Sequence, residues 1–409
     1  MGTVPPETPL EVASGLVCGG DPLPPRPGVG PRPGAALAAL GTAVLPALLR
    51  PPCVVTFSGG TDSSLVLAVA TRTARRHGLA DPVPFTWRFP DVPATDEATW
   101  QHAVVDPLRL REWVVATAEP DELDLVGPRA RPVLLRHGVR HPVNLHLHAA
   151  PLELARGGSL LTGAGGDQVL SGWRRPENRT GARQLKDRVP PALRVRLRRL
   201  AARDLPWLDP AAARSALADR MREEAAEPVG TADRVRWHAG RRELVLSLAN
   251  LRALGAPHDV LVGSPLAEPG FVHALAHEVG DRPAPRRSAL VGALAGDAVP
   301  AAVWQPRRKA RFGDVFLGAH SRSLAREWDG RGVDPALVDV AALRRAWTGT
   351  RVPLATAGLL QQVFLATRPA GPAAPDTRDD ADIYDDADTH DDADTPDEEE
   401  QRWATTRTS

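Results

Sequence analysis

The chain has 409 residues, with 50 basic and 50 acidic residues and a formal net charge of zero. Hydrophobic residues at 43% fit a globular protein. No run of about 18 apolar residues occurs, which excludes a membrane-spanning helix, and the two cysteines, Cys18 and Cys53, exclude a disulfide framework.

In chain order, residues 1–34 are rich in Pro and Gly and read as an irregular or disordered leader. The opening MGTVPPETPL lacks the basic and apolar regions of a signal peptide, and Pro6 breaks the myristoylation pattern, so the expected location is cytoplasmic. Ala35–Leu49 reads as an Ala/Leu helix. Val54–Phe57 is a buried parallel strand, followed by Ser58-Gly59-Gly60-Thr61-Asp62-Ser63-Ser64 and an apolar helix from Leu65. Further strands are expected at Val83–Phe89, Glu112–Thr117 and Ser159–Leu161. Helices are expected at Thr95–Val105 and at Asp121–His137 with a break at Pro128. Strands alternating with helices predict an α/β fold with a doubly wound, mostly parallel sheet. Arg183–Arg203 reads as a basic amphipathic helix with a solvated face, and residues 189–254 as all-helical. The α/β part then spans about 50–180, and a helical part about 185–370.

Charge and lysine are both unevenly spread. Residues 376–409 hold fourteen acids and three Arg, which leaves thirty-six acids against forty-seven bases in the body. Such a body suits anionic ligands, while the few aromatics argue against a base-stacking nucleic-acid surface. The tail, from 371, repeats DDADIY, DDADTH and DDADTP; this density of like charge is expected to be disordered and to aid solubility. The only lysines are Lys186 and Lys309, against forty-eight Arg. A lysine kept in such a chain points to a place where a slim ammonium serves and a planar fork does not. His141, His146 and His148 cluster, but no carboxylate or Cys pattern completes a metal site.

The stretch from Val54 to Ala70 carries the chemistry. A strand, a Gly–Gly turn and a helix N-terminus form an anion cradle, with backbone N–H groups and the helix dipole favouring negative charge. Ser58, Thr61, Ser63 and Ser64 add hydroxyl donors. Asp62 suits a Mg²⁺ that bridges phosphates. No Lys follows the glycines, so this is not the phosphate loop of kinases and GTPases. A second Gly-rich turn, Thr162-Gly163-Ala164-Gly165-Gly166-Asp167-Gln168, follows the fourth strand. Ligands of such sheets bind at the carboxyl edge, so Asp62 and Asp167 are positioned to share one metal.

S-G-G-x-D-S resembles the pyrophosphate loop of ATP pyrophosphatases. FSGGTDSS followed by LLTGAGGDQVLSGW resembles the synthetase domain of asparagine synthetases and of their relatives, the β-lactam and lasso-peptide macrolactam synthetases. The resemblance covers about residues 35–365 and implies one synthetase domain at 35–370 with the adenine nucleotide α-hydrolase-like fold. It implies ATP bound by Ser58, Gly59, Gly60, Thr61, Asp62, Ser63, Ser64, Gly163, Gly165, Gly166 and Asp167, with Val55, Phe57 and Arg307 beside it. It implies Mg²⁺ on Asp62 and Asp167. Arg307-Arg308-Lys309-Ala310-Arg311-Phe312 is similar to the family's R-x-K-x-x-F segment, which makes Lys309 the catalytic lysine. Ser264-Pro265-Leu266-Ala267-Glu268 is similar to V-P-F-L-D.

The departures narrow what is implied. Residue 2 is Gly, and about 50 residues precede the first strand, so no glutaminase domain is expected. Ala164 and Gln168 replace two Glu of the asparagine synthetase loop, and the sole Tyr, Tyr384, lies in the tail. Glu243 is then the candidate base for the amine, its alternative being a solvated helix carboxylate. The implied activity is AMP-forming amide synthesis from a carboxylate, such as that of a precursor peptide, and an amine, as in lasso-type macrolactam formation. Ammonia-dependent asparagine synthesis and a non-catalytic nucleotide-binding partner are the alternatives. No membrane or nucleic-acid partner is expected.

Overall fold

The computed structural model describes residues 5–24, 34–172, 205–228, 230–280, 287–296, 304, 310, 312–349 and 352–367. The basic stretch Arg183–Arg203 with Lys186, the segment holding Arg307, Arg308, Lys309 and Arg311, and the acidic tail lie outside the described residues.

Five parallel strands form one sheet: β1 (Cys53–Thr56), β2 (Val83–Arg88), β3 (Val114–Thr117), β4 (Ser159–Leu161) and β5 (Leu261–Gly263), in the order β3-β2-β1-β4-β5. Val55 lies opposite Pro84 on one side and Leu161 on the other. The expected α/β fold with a parallel sheet and a helical C-terminal half is what the chain adopts. β5 is the addition: three residues from the half read as helical, too short to show any periodicity.

Side-chain alternation along the strands divides the core. Cys53, Val55, Phe57 and Leu161 face one layer of helices, α2 (Ala35–Leu48), α3 (Thr61–Arg76) and α4 (Ala98–Leu108) among them. Val54, Phe85, Leu160 and Val262 face the other layer, with Leu251 and Leu254. Both faces are covered, which is why β1 reads as an unbroken apolar run. A second core joins Leu125, Trp207, Trp328 and Trp347 with residues from later helices.

The leader needs a correction. Its residues 5–24 are ordered and begin with α1 (Pro9–Ser14). Thr8 and Glu11 make a reciprocal capping box, with Thr8 N donating to Glu11 Oε2 at 2.8 Å and Glu11 N to Thr8 Oγ1 at 3.2 Å. Arg242, which opens the helix Arg242–Gly255, forks onto Glu11 at 2.9 and 3.0 Å and also donates to the carbonyls of Pro5 and Pro6. Trp207 Nε1 donates to Ala13 O at 2.8 Å. Residues 5–24 are therefore a strap across the helical half. The T-P-L-E run that signals it, with Pro at the first helical position, is present in the sequence.

Candidate active site

The strand order reverses between β1 and β4, since β2 and β3 lie to one side of the pair and β5 to the other. Both Gly-rich turns leave the carboxyl ends of these two strands. The reversal opens a crevice there, which is where ligands of doubly wound sheets bind.

The first turn is held by its own hydroxyls. Gly60 N donates to Ser58 Oγ at 3.1 Å, Ser63 Oγ donates to Gly60 O at 3.1 Å, and Ser64 Oγ to Gly59 O at 3.3 Å. Gly60 caps α3 without a side-chain bond. The first intrahelical bond runs from Ser64 N to Gly60 O, so the N–H groups of Thr61 and Ser63 have no intrahelical acceptor. Ser63 and Ser64 are thus split in role: their hydroxyls brace the turn. Val55 and Phe57 are buried in the sheet core behind it.

The second turn packs directly onto the first. A Cβ on Gly163 would lie 2.9 Å from Ser63 N, and one on Gly166 would lie 2.2 Å from Asp62 Cγ. Only glycine permits that approach. Gly165 backs onto Ala267, and Thr162 Oγ1 shares a hydrogen bond with Ser264 Oγ at 3.1 Å. The SPLAE segment is thereby placed against the second turn.

Asp62 and Asp167 meet through a residue that sequence reading missed. Arg287, the first residue of the helix Arg287–Ala295, donates through Nη2 to Asp62 Oδ1 at 2.5 Å and lies 3.5 Å through Nη1 from Asp167 Oδ1. One guanidinium spans both carboxylates. In a chain with forty-eight Arg, composition gives such a residue no contrast. The structure therefore joins Ser58, Gly59, Gly60, Thr61, Asp62, Ser63, Ser64, Gly163, Gly165, Gly166 and Asp167 at one edge.

Glu243 is placed otherwise. Its carboxylate lies 3.5 Å from Arg241, with 38% of the side chain exposed, and none of its described contacts reaches either turn. A cavity of about 450 Å³ lies between the strap and the helix Pro210–Ala226, lined by Cys18, Glu223, Trp237 and Arg241 among others; no residue of either turn lines it.

The histidine cluster has structural partners. His146 Nε2 shares a hydrogen bond with Leu123 O at 3.0 Å. Among the described residues, no group of three or more His, Cys, Asp or Glu is arranged to hold a metal. His148 has Nδ1 sealed from solvent without a partner, and burial, then the charge of His146, pulls its pKa down to about 4. The folded-state pKa lies below the ordinary histidine value of 6.5, so the unfolded chain takes up its proton first as pH falls. Stability is full above the unfolded value and is lost between there and the folded one. The loss is at most about 3.5 kcal/mol, at ~1.4 kcal/mol per unit over the fall from 6.5 to about 4. Urea unfolding at a series of pH values should show this slope in the wild type and a flatter one in His148→Leu. Equal slopes would remove His148 from the account.

The asparagine synthase family model matches residues 39–258, more than half of the chain, and this span contains both glycine-rich turns. A search of curated proteins finds no match. Arg287 and Lys309 lie beyond the matched span. With the two turns interlocked at the sheet's switch point and the family match running through both, the chain belongs to the asparagine synthase family, whose members are ATP-dependent carbon–nitrogen ligases.

Proposed function

We propose that this chain is an AMP-forming amide synthetase acting on a peptide. The observation that carries the reading is the pair of interlocked turns, with Asp62 and Asp167 spanned by one cation, Arg287. A guanidinium seated between two carboxylates marks a place where positive charge is stabilised. Mg²⁺ takes one or two carboxylates and completes its shell with phosphate oxygens and water, so Asp62 and Asp167 fit it without a third protein ligand. When bound there, it would neutralise charge on the departing pyrophosphate.

The chain's own residues do the rest. The N–H groups at the start of α3 receive phosphate oxygens of ATP. A substrate carboxylate oxygen attacks the α-phosphorus, the bond to the β-phosphate oxygen breaks, and pyrophosphate leaves. An amine then attacks the acyl carbon, the bond to AMP breaks, and the amine loses a proton. Lys309 and Arg307 supply charge to both transfers. Holding the two reactants together is the protein's main contribution to the second step.

The substrate reading rests on charge and on the second turn. The excess of bases in the body suits an acidic peptide. Ala164 and Gln168 stand where asparagine synthesis places carboxylates, which favours a carboxylate and amine held in one peptide, as in lasso-type macrolactam formation. We place the synthetase unit at 35–370, with the strap clasped onto it, in the cytoplasm. Pyrophosphate release measured with ATP and Mg²⁺ tests the reading. A peptide bearing an acidic side chain and a free N-terminus should accelerate release and lose the mass of one water. Acceleration by aspartate and ammonia alone would instead favour asparagine synthesis, and none with either would favour a nucleotide-binding partner.

A further inference from the structure

Gln101 lies on α4, outside both turns, and is 4% exposed. Its amide Nε2 donates to Ser58 O at 3.1 Å. Its Oε1 is sealed from solvent and meets no donor. The opposite amide orientation would set Oε1 against the Ser58 carbonyl, two acceptors facing each other, so the assignment is fixed by chemistry. A buried amide left half paired is destabilising, whereas an apolar side chain of the same shape would avoid that loss. Stability does not account for a glutamine here.

The bond it makes has a consequence one atom group away. The Ser58–Gly59 peptide is trans, so its N–H points opposite to its C=O. Pinning Ser58 O toward α4 turns the Gly59 N–H away from α4. Gly59 has φ +84°, in the region only glycine enters readily, and a Cβ there would lie 2.9 Å from Gln101 Cγ. A glycine on one side of a peptide unit makes that unit easy to flip. A flip would exchange a donor for a carbonyl oxygen in a turn that receives phosphate.

We propose that Gln101 is a positioning residue that locks the Ser58–Gly59 peptide, and with it the turn that receives the nucleotide phosphates, in a single orientation. The inference rests on the adenylation reading for its kinetic test and on geometry for the rest. Gln101→Met keeps the shape and removes the donor. Its melting temperature should equal or exceed that of the wild type, while kcat for pyrophosphate release falls about 100-fold and KM for ATP changes far less. Gln101→Glu adds a signature that packing alone does not produce. Its ionised carboxylate cannot donate to Ser58 O, but its protonated form can, so its rate relative to wild type should rise as pH falls while that of Gln101→Met stays flat. Wild-type kcat in Gln101→Met, or parallel pH profiles for the two variants, would overturn the proposal. Calorimetric titration with inorganic pyrophosphate separates the two levels. If the wild type binds it but releases none from ATP with any substrate, the adenylation reading fails. Gln101 is then judged by affinity: about tenfold weaker binding in Gln101→Met supports the lock, and unchanged binding refutes it.

Discussion

Asp62→Ala abolishes Mg²⁺-dependent pyrophosphate release, a loss on the order of 10³-fold or more, and Asp167→Ala is damaging but less so. The two carboxylates differ in setting. Asp62 is 19% exposed and touches Arg287 at 2.5 Å; Asp167 is 63% exposed and stands 3.5 Å from the same guanidinium. Asp62 is also the side chain against which Gly166 is packed, so its position is fixed from both turns. Preorganised charge in a drier place acts more strongly than charge facing water. The folded state should survive both changes, because each removes an acidic group from a turn at the sheet edge. Asp62→Asn, which keeps the shape, should be nearly as inactive as Asp62→Ala. Far-ultraviolet circular dichroism and melting curves establish the fold, and a pyrophosphate assay over a range of Mg²⁺ gives the rest. Wild-type release by Asp62→Ala would remove the proposed carboxylate pair. A larger loss in Asp167→Ala than in Asp62→Ala would reverse the proposed ranking.

Lys309→Arg should be nearly as harmful as Lys309→Ala. The motive is the forty-eight-to-two preference for Arg, with a Lys retained inside a run of four basic residues. Arg307, Arg308 and Arg311 already supply positive charge there, so charge alone does not select lysine. An ammonium on a slim stem places three donors on one atom and enters a closed site. A guanidinium keeps the charge but sets its bulkier fork about one bond further out. Losing one preorganised donor to a developing charge slows turnover on the order of 10²–10³-fold, and most of that factor should be lost in both variants. ATP binding should change far less than turnover, since the interaction gains its value in the transition state. Single-turnover measurement of adenylate and amide formation decides it. Near wild-type turnover in Lys309→Arg would reduce Lys309 to part of a basic patch.

What was legible in the sequence was what local chain order encodes. The first turn is contiguous: an apolar run, two glycines, an acid and a helix follow one another within seventeen residues, Val54 to Ala70. The second turn announces itself in the same way after Ser159–Leu161. Four strands and the placing of both turns at the carboxyl edge of the sheet followed from that alternation. Arg287 was not legible, because it reaches Asp62 across 225 residues of chain and looks like any other arginine. β5 was not legible because three residues contain no period. Gln101 was hidden for a third reason: a polar residue within an apolar helix reads as surface until burial is known. The strap was missed because its prolines and glycines outweighed the short capping signal at Thr8 and Glu11.

That strap bears on how the chain is made. Its clasps are distant in sequence: Trp207 reaches Ala13 across 194 residues, and Arg242 reaches Glu11 across 231. Gly15 packs so closely on Ala355 that a Cβ would lie 2.4 Å from its carbonyl oxygen. The strap is therefore translated well before its partners, 194 to 231 residues ahead of Trp207 and Arg242. Translation at about 5–20 residues per second leaves the apolar side chains of Leu10, Val12 and Leu16 without their native cover while those intervening residues are made. Contacts of this range also close slowly, since loop entropy is spent before they form. Translation of Trp207, Arg242 and Ala355, rather than of the nucleotide turns, is the event that lets this chain finish folding.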